Sequence, residues 1–311
     1  MYKRVLVPVD GSGFGECVFA HISRLTSESE APRVDIVHVV EPITERTTRG
    51  LSSSVRDEEE NRRVTAGEKY LVEVRNRLRQ QGIKGAAFIT SVLKGNAAET
   101  ILNHAEEQDI ELILMSSYGK SGVTRLLFGS VAEKVARLSP IPVLIVSPQG
   151  CGANGEHDVY RRILVPLDGS GFGECVLAHV KKLVREKDRQ RAELLFVQTP
   201  SNTTRAVTLE GVEMQMEYGP LIDGEQYLSK ISDRLRKEGI FVTATVVAGR
   251  PAEMILQHAS RGIDLVIMST RGRSGLTRLA LGSVTDEVIR HSPVPVLAVS
   301  PSGCKTSAET A

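Results

Sequence analysis

Short apolar runs and helical stripes alternate along the chain. Val5 to Val9 is rich in β-branched residues and ends at Asp-Gly, which predicts a strand buried on both faces of a parallel sheet. Phe14, Val18, His21, Ile22 and Leu25 then recur at helical spacing, so a helix should lay that face on the sheet. The same reading gives a strand over 34–40, a helix over 69–80 with Leu71, Val74 and Leu78 inward, and a strand over 86–93. A helix over 97–105, a strand over 110–115, a helix over 131–138 and a last strand over 143–146 follow. Strands separated by helices call for right-handed crossovers, so the expected fold is α/β: a doubly wound, five-stranded parallel sheet with helices on both faces. Ligands of such sheets sit beyond the carboxyl ends of the strands, where strand order switches, which directs attention to the loops after the first, second and fourth strands.

The whole pattern occurs twice. RVLVPVDGSGFGECV at 4–18 returns as RILVPLDGSGFGECV at 162–176, differing only at Val5/Ile163 and Val9/Leu167. The segment 111–151 likewise answers to 264–304, so the second copy should repeat the first from Ile163 to Val299. Two tandem domains are expected, at 1–149 and 161–304, with a Gly-, Asn- and polar-rich linker at 150–160 and a tail at 305–311. The copies differ most after the second strand, where 42–64 and 201–219 both read as a surface loop leading into a helix. The short apolar last strands, 143–146 and 296–299, would be exposed sheet edges unless they cover one another. Antiparallel pairing of the two about a two-fold axis is expected, with Cys151 and Cys304 at opposite ends of the seam and unbonded to each other.

Lys plus Arg total 39 against 38 for Asp plus Glu, and the chain lacks Trp, so neither a basic field nor an aromatic platform for nucleic acid is present. The N-terminus passes straight into strand-like sequence and no apolar run approaches the roughly 18 residues needed to cross a membrane. A soluble, cytoplasmic protein is expected. Cys17, Cys151, Cys175 and Cys304 are two repeat positions seen twice, in no CxxC spacing; reduced thiols are the default, with Cys17 and Cys175 as small buried hydrophobes. His21 and His179 lie on the first helical stripe as packing or surface residues instead of ligands or bases, and His104 and His258 stand near a helix end, where a histidine favours the dipole.

The loop after the fourth strand is the most informative. It runs from Ser116 through Gly119 to Gly129 and Ser130, where a helix begins; Ser130 with Glu133 reads as a capping box, and Ser283 with Asp286 as its near equivalent. A helix N-terminus approached by a glycine-containing loop suits phosphate oxygens, although Ser130 as a plain cap and Gly129 as a plain turn is an equal reading. Gly11, Gly13 and Gly15 do not make a dinucleotide fingerprint, because the third glycine comes one position early; a turn into the first helix is favoured. Asp10 resembles a phospho-acceptor only superficially, since receiver domains carry theirs after the third strand. No Ser-His-Asp order, HExxH pair or Walker loop is present, so no catalytic residue is assigned.

Pro8-x-Asp10 at the end of the first strand, then Gly119, nine residues and Gly129-Ser130, resembles the universal stress protein family; Pro166, Asp168, Gly272, Gly282 and Ser283 repeat the pattern. The departure is Ser116 and Ser269, where the family pattern has its first glycine. The resemblance covers nearly the whole chain and implies binding of ATP with Mg²⁺ or Mn²⁺ held through the phosphates, no metal ligand being assigned to the protein. Adenine-side contacts would fall on Pro8, Asp10 and Val39, and on Pro166, Asp168 and Val197. Ribose and phosphate contacts would come from Ser116, Gly119, Lys120, Gly122, Gly129, Ser130 and Val131, and from Ser269, Gly272, Arg273, Gly275, Gly282, Ser283 and Val284. It further implies a nucleotide-dependent regulator of a stress response, in which the two halves pair as single-domain relatives do in a dimer. A homodimer of the full chain and an unnamed protein partner are further expectations; nucleic acid and membrane are not. Two other readings stay open: an interaction scaffold with non-functional pockets, and a slow ATPase or self-phosphorylating enzyme using Asp10 and Asp168.

Overall fold

The computed structural model describes residues 1–26, 31–43, 53–80, 86–118, 128–151, 160–184, 189–199, 206–209, 212–215, 222–272 and 281–303. In the first half, β1 (Arg4–Pro8) leads into α1 (Gly13–Glu16), a 3₁₀ turn (Cys17–His21) and α2 (Ile22–Leu25). Then follow β2 (Arg33–Val40), α3 (Ser53–Gln80), β3 (Ala87–Lys94), α4 (Ala97–Glu107), β4 (Leu112–Ser116), α5 (Ser130–Leu138), β5 (Val143–Val146) and a short α6 (Pro148–Cys151). The second half runs β6 (Arg162–Leu167), α7 (Gly171–Glu174), α8 (Leu177–Leu183), β7 (Arg191–Gln198), β8 (Ala206–Leu209), β9 (Val212–Gln215), α9 (Gly224–Lys237) and β10 (Val242–Ala248). It ends with α10 (Pro251–Ala259), β11 (Leu265–Ser269), α11 (Ser283–His291), β12 (Val296–Val299) and a 3₁₀ turn (Pro301–Gly303).

Each half is a parallel sheet, in the spatial order β3-β2-β1-β4-β5 and β10-β7-β6-β11-β12, with the direction of strand progression reversing between β1 and β4 and between β6 and β11. Successive β1 residues feed opposite faces. Val5 and Val7 pack with Ile22, Leu25, Leu71 and Val74, while Leu6 joins Ile101, Ile113 and Val135 on the other side. Burial on both faces is why the strand reads as a continuous apolar run instead of an alternation.

The halves meet edge to edge. β5 and β12 pair antiparallel, with Ile145 opposite Val296, Leu144 opposite Leu297 and Val143 opposite Ala298, giving one ten-stranded sheet. All eight residues of these two strands are buried.

Four local expectations need correction. Residues 53–64 are helical, not loop: α3 begins at Ser53, and Glu59 pairs with Arg62 at 2.7 Å and with Arg63 at 3.0 Å, one turn apart on the helix surface. The corresponding stretch of the second half forms the antiparallel β8–β9 hairpin. The first helix is broken into short pieces, and Phe14 is 57% exposed instead of facing the sheet. Cys17 and Cys151 are disulfide-bonded, with Cα atoms 5.4 Å apart, and both are half-buried. They follow the carboxyl ends of β1 and β5, strands separated only by β4, so the fold brings together two positions that comparison between repeats keeps apart. Cys304 lies outside the described residues. His104 also does more than face a helix end, since its Nε2 is 3.3 Å from Asp35 Oδ2, beside the Arg33 guanidinium bonded to that buried carboxylate at 2.6 and 2.7 Å.

Two crossed contacts flank the seam. Tyr2, ahead of β1, places its phenol 2.9 Å from Nδ1 of His179 on α8, and Tyr160, ahead of β6, lies 2.9 Å from Nδ1 of His21. Lys182 sits over the Tyr2 ring and Arg24 over the Tyr160 ring, at 4.3 and 5.6 Å from the centroids. Lys182 also bonds Glu111 at 2.8 Å. Burial raises both phenol pKa values, so the tyrosines stay protonated. Burial, reinforced by Arg24 and Lys182 respectively, lowers His21 and His179 from 6.5 to about 4. The histidine reading from the apolar stripe was thus right about packing, but each ring packs against the opposite half.

The folded chain keeps both rings neutral down to about pH 4, whereas the unfolded chain protonates them near 6.5. Between these values the unfolded state binds more protons, so stability falls as pH drops through that window. His21 contributes about 3 kcal/mol of this loss, at about 1.4 kcal/mol per pKa unit. Urea unfolding midpoints measured from pH 7 to 4.5 should fall more steeply for the wild type than for His21→Gln/His179→Gln; parallel curves would show that the seam histidines do not set the acid limit. Tyr160→Phe should cost about 1–3 kcal/mol at pH 7 by stranding buried His21 Nδ1, read from the same curves.

Candidate functional site

The reversal of strand order between β1 and β4 opens a cleft at the carboxyl end of the first sheet. Its β1 wall is a locally determined turn. Asp10 Oδ1 accepts from the Ser12 amide at 2.9 Å and the Ser12 hydroxyl at 2.6 Å, and Ser12 Oγ accepts from the Gly15 amide at 3.0 Å as the N-cap of α1. Gly11 has φ +80°, and a Cβ on Gly15 would stand 2.8 Å from Asp10 Oδ1. Gly11 is thus needed for backbone shape and Gly15 for the close approach of the Asp10 carboxylate. The second half repeats the turn with Asp168, Ser170, Gly169 and Gly173, at 3.0, 2.6 and 2.9 Å for the three bonds.

The β4 wall is built differently from expectation. Gly129, not Ser130, is the N-cap of α5, and Gly282 holds that place in α11; neither helix has a side-chain cap bond. Ser130 and Ser283 are therefore the first helical residues, so the expected capping boxes do not form. Gly129 fits this place closely: its amide bonds Ser117 O at 2.8 Å, and a Cβ would lie 3.0 Å from that same carbonyl, tight enough to push the backbone aside. Gly282 meets Thr270 O in the same way, at 2.8 and 3.2 Å. A helix start with no capping side chain leaves first-turn amides turned toward the cleft, with the positive end of the helix dipole behind them. The buried Ser117 hydroxyl at the same end has no hydrogen-bond partner among the described residues.

Ser116 and Ser269 end β4 and β11 with ordinary backbone, since the positive-φ residues other than glycine are Ala31, Asp109 and Arg189 among those described. Each hydroxyl instead accepts the amide two residues on, Tyr118 and Arg271, at 3.3 Å.

Pro8, Asp10, Val39, Ser116, Gly129, Ser130 and Val131 line one cavity of about 270 Å³. Val9, Gly15, Val37, Ala97, Ile101, Met115, Ser117, Tyr118 and Ala132 complete it. It is two-ended. Val37, Val39, Ala97 and Ile101 form an apolar wall, and Asp10, Ser116, Ser117 and the α5 N-terminus a polar one. The helix over α4 was expected, but not its part in the cleft, because Ala97 and Ile101 look like ordinary sheet-facing helix positions. In the second half a Cβ on Gly272 would lie 2.6 Å from Asp168 Oδ2, so the loops after β6 and β11 touch. Pro166, Val197, Ser269, Gly282, Ser283 and Val284 occupy the matching strand-end and helix-start places. Gly119, Lys120, Gly122, Arg273 and Gly275 lie outside the described residues. Among the described residues no group of three His, Cys, Asp or Glu side chains is placed to hold a metal ion, and no helix is long and apolar enough to cross a membrane.

The chain was compared with known proteins. It is 23% identical over 302 residues to a universal stress protein of Mycolicibacterium smegmatis, covering 96% of this chain and 97% of that one. It is 32% identical over 158 residues to the universal stress protein YxiE of Bacillus subtilis, 47% of this chain and 99% of the relative. The crystal structure of a universal stress protein from Archaeoglobus fulgidus superposes with a TM-score of 0.69 at 24% identity, over 97% of this chain and 99% of that one, a likeness of fold. The model of the universal stress protein family matches twice, at residues 1–147 and 159–300, one match for each half of the ten-stranded sheet. The chain belongs to the universal stress protein family.

Proposed function

We propose that the two halves, as domains spanning 1–149 and 161–304, each bind ATP in the cleft between the loops after their first and fourth strands. Nucleotide occupancy then regulates how the protein engages a partner in a stress response. The observation that carries this reading is the pairing of an apolar wall with an uncapped helix N-terminus across one cavity, beside the hydroxyl of buried Ser117, unpartnered among the described residues. The base and ribose fit against Val37, Val39, Ala97 and Ile101, and the phosphates at Gly129, Ser130 and Val131, where free amides and the dipole favour anions. Mg²⁺ or Mn²⁺ would be carried by the phosphates.

Regulation is favoured over turnover by the state of Asp10. Its Oδ1 is engaged by the amide and hydroxyl of Ser12, the geometry of a loop-forming carboxylate; Asp168 is held alike by Ser170. ATP turnover by the purified chain should therefore stay below about 1 s⁻¹, the low end of ordinary enzymes, in a timed ADP-release assay; a faster rate would make this an enzyme.

Binding is tested by calorimetry with MgATP. Gly129→Val/Gly282→Val should weaken it by more than about a hundredfold, roughly 2.7 kcal/mol, with the circular dichroism spectrum unchanged. Because those glycines abut backbone, Val39→Asp/Val197→Asp, at two half-buried positions one residue before their strand ends, serves as the second variant and should also lower affinity. Wild-type affinity in either folded variant would refute the assignment.

A further inference from the structure

The Cys17–Cys151 bond lies where it can be reached and where breaking it has consequences. Both cysteines are half-buried and line a cavity of about 340 Å³, separate from the nucleotide cleft, together with Glu16, Phe19, Ala20, Arg77 and Leu78. That volume falls in the range of small-molecule pockets. Arg77 donates to both oxygens of Glu16 at 2.7 and 2.8 Å, so the cavity presents an internally paired guanidinium and carboxylate and no unopposed anion that would repel an incoming thiolate. Exposed disulfides are the ones that exchange, and in a reducing compartment they are transient.

The bond joins two elements with separate duties. Cys17 directly follows α1, whose Gly15 lines the nucleotide cleft and whose Glu16 is anchored to α3 by Tyr70 at 3.0 Å as well as by Arg77. Cys151 ends α6, a single turn that leans on the other half. Gly150 is packed so that a Cβ would meet the Pro295 ring at 3.4 Å, and Ser147 Oγ donates to Ser292 O at 2.9 Å. Within α6 itself, apart from the disulfide, Cys151 is held by its amide bond to Ser147 O at 3.0 Å. The disulfide thus ties the loop at the cleft to the element that touches the neighbouring half, across 134 residues of chain.

We propose that Cys17–Cys151 is a thiol-exchange site, opened and closed by a low-molecular-weight thiol/disulfide couple entering through this cavity, and that it locks α6 to the β1 loop. In the opening reaction a thiolate RS⁻ attacks one sulfur, the Cys–Cys bond breaks, a mixed disulfide forms and one cysteine leaves as thiolate. A second RS⁻ attacks the mixed disulfide at the small-molecule sulfur, releasing RSSR and the second cysteine thiolate; both thiolates take protons from water. Two RSH are oxidised to RSSR, and the protein disulfide gains the two electrons and two protons. Oxidised small-molecule disulfide reverses each step.

The full chain, equilibrated in buffers of reduced and oxidised glutathione without denaturant, is acid-quenched, alkylated, digested and read by mass spectrometry. Expected is a Cys17–Cys151 linked peptide that disappears and reforms with the glutathione ratio. Amides of 13–21 and 149–151 should exchange with deuterium more than about tenfold faster in the reduced form, since closing a long loop stabilises what it joins. Cys17→Ser should exchange at the fast rate in both buffers. The proposal fails if the linkage found is instead to Cys175 or Cys304, if none forms in oxidised glutathione, or if the bond resists reduction until denaturant is added. It also fails if reduction leaves exchange at both segments unchanged. None of these readings uses nucleotide, so they stand apart from the ATP assignment.

Discussion

The antiparallel pairing of β5 with β12 is the constraint on which the rest of the molecule depends. Each half alone would end in a four-residue apolar edge strand with unpaired backbone donors and acceptors, a template for aggregation. Joined, the two edges become the centre of a ten-stranded sheet whose free edges are β3 and β10. The pairing also fixes where the sites go. Because the halves run in opposite directions, the carboxyl ends of β1 and β6 point to opposite ends of the sheet, and with them the two clefts. Each half carries its own copy of the Asp-Gly-Ser-Gly turn and of the Gly-Ser helix start at the carboxyl end of its sheet.

Within each cleft the shape comes from short-range chemistry. An aspartate at the strand end folds the next turn around its own carboxylate, and a serine two residues later caps the short helix that follows. A glycine packed on the aspartate lets the turn close. The opposite wall depends on a second glycine pressed against a carbonyl, which starts its helix without a capping side chain. Giving up that cap leaves first-turn helix amides without a capping side chain, with the positive end of the helix dipole at the cleft.

This division explains what could be read from the chain. Strand and helix identities were legible because buried parallel strands and sheet-covering helices leave strong periodic signatures, as at Val5–Val9 and Leu71/Val74/Leu78. The seam was legible from the repeat, since two apolar last strands have one economical solution. Illegible features were those decided by contacts between distant segments. Residues 53–64 are highly polar and read as loop, yet surface ion pairs and Lys94–Glu60, 3.0 Å apart, accompany them as helix over β3. Ser130 looked like a cap because Ser-x-x-Glu is a capping signature, but the carbonyl of Ser117 selects Gly129 for that place. The disulfide was hidden for a similar reason: comparing repeats aligns Cys17 with Cys175, while the fold sets it against Cys151.

Fusing two copies into one chain also frees them to differ, because a change in one half is no longer duplicated in the other. The differences fall where the seam does not need symmetry. α4 is capped by Asn96, whose side chain accepts the Glu99 amide, whereas α10 starts from Arg250 with Pro251 as its first residue. Buried Thr285 bonds Ser269 O at 2.8 Å, at a place where the first half has Ala132. α3 has no counterpart of its own length, its place after the second strand being taken by a hairpin and the shorter α9. The crossed Tyr2–His179 and Tyr160–His21 contacts, by contrast, are matched residue for residue, down to the cation over each ring. Each contact joins the segment ahead of one half's first strand to the first helical region of the other, so loss of either would leave a buried ring nitrogen without its phenol. Symmetry persists where two halves must fit one another, and lapses where each folds on its own terms.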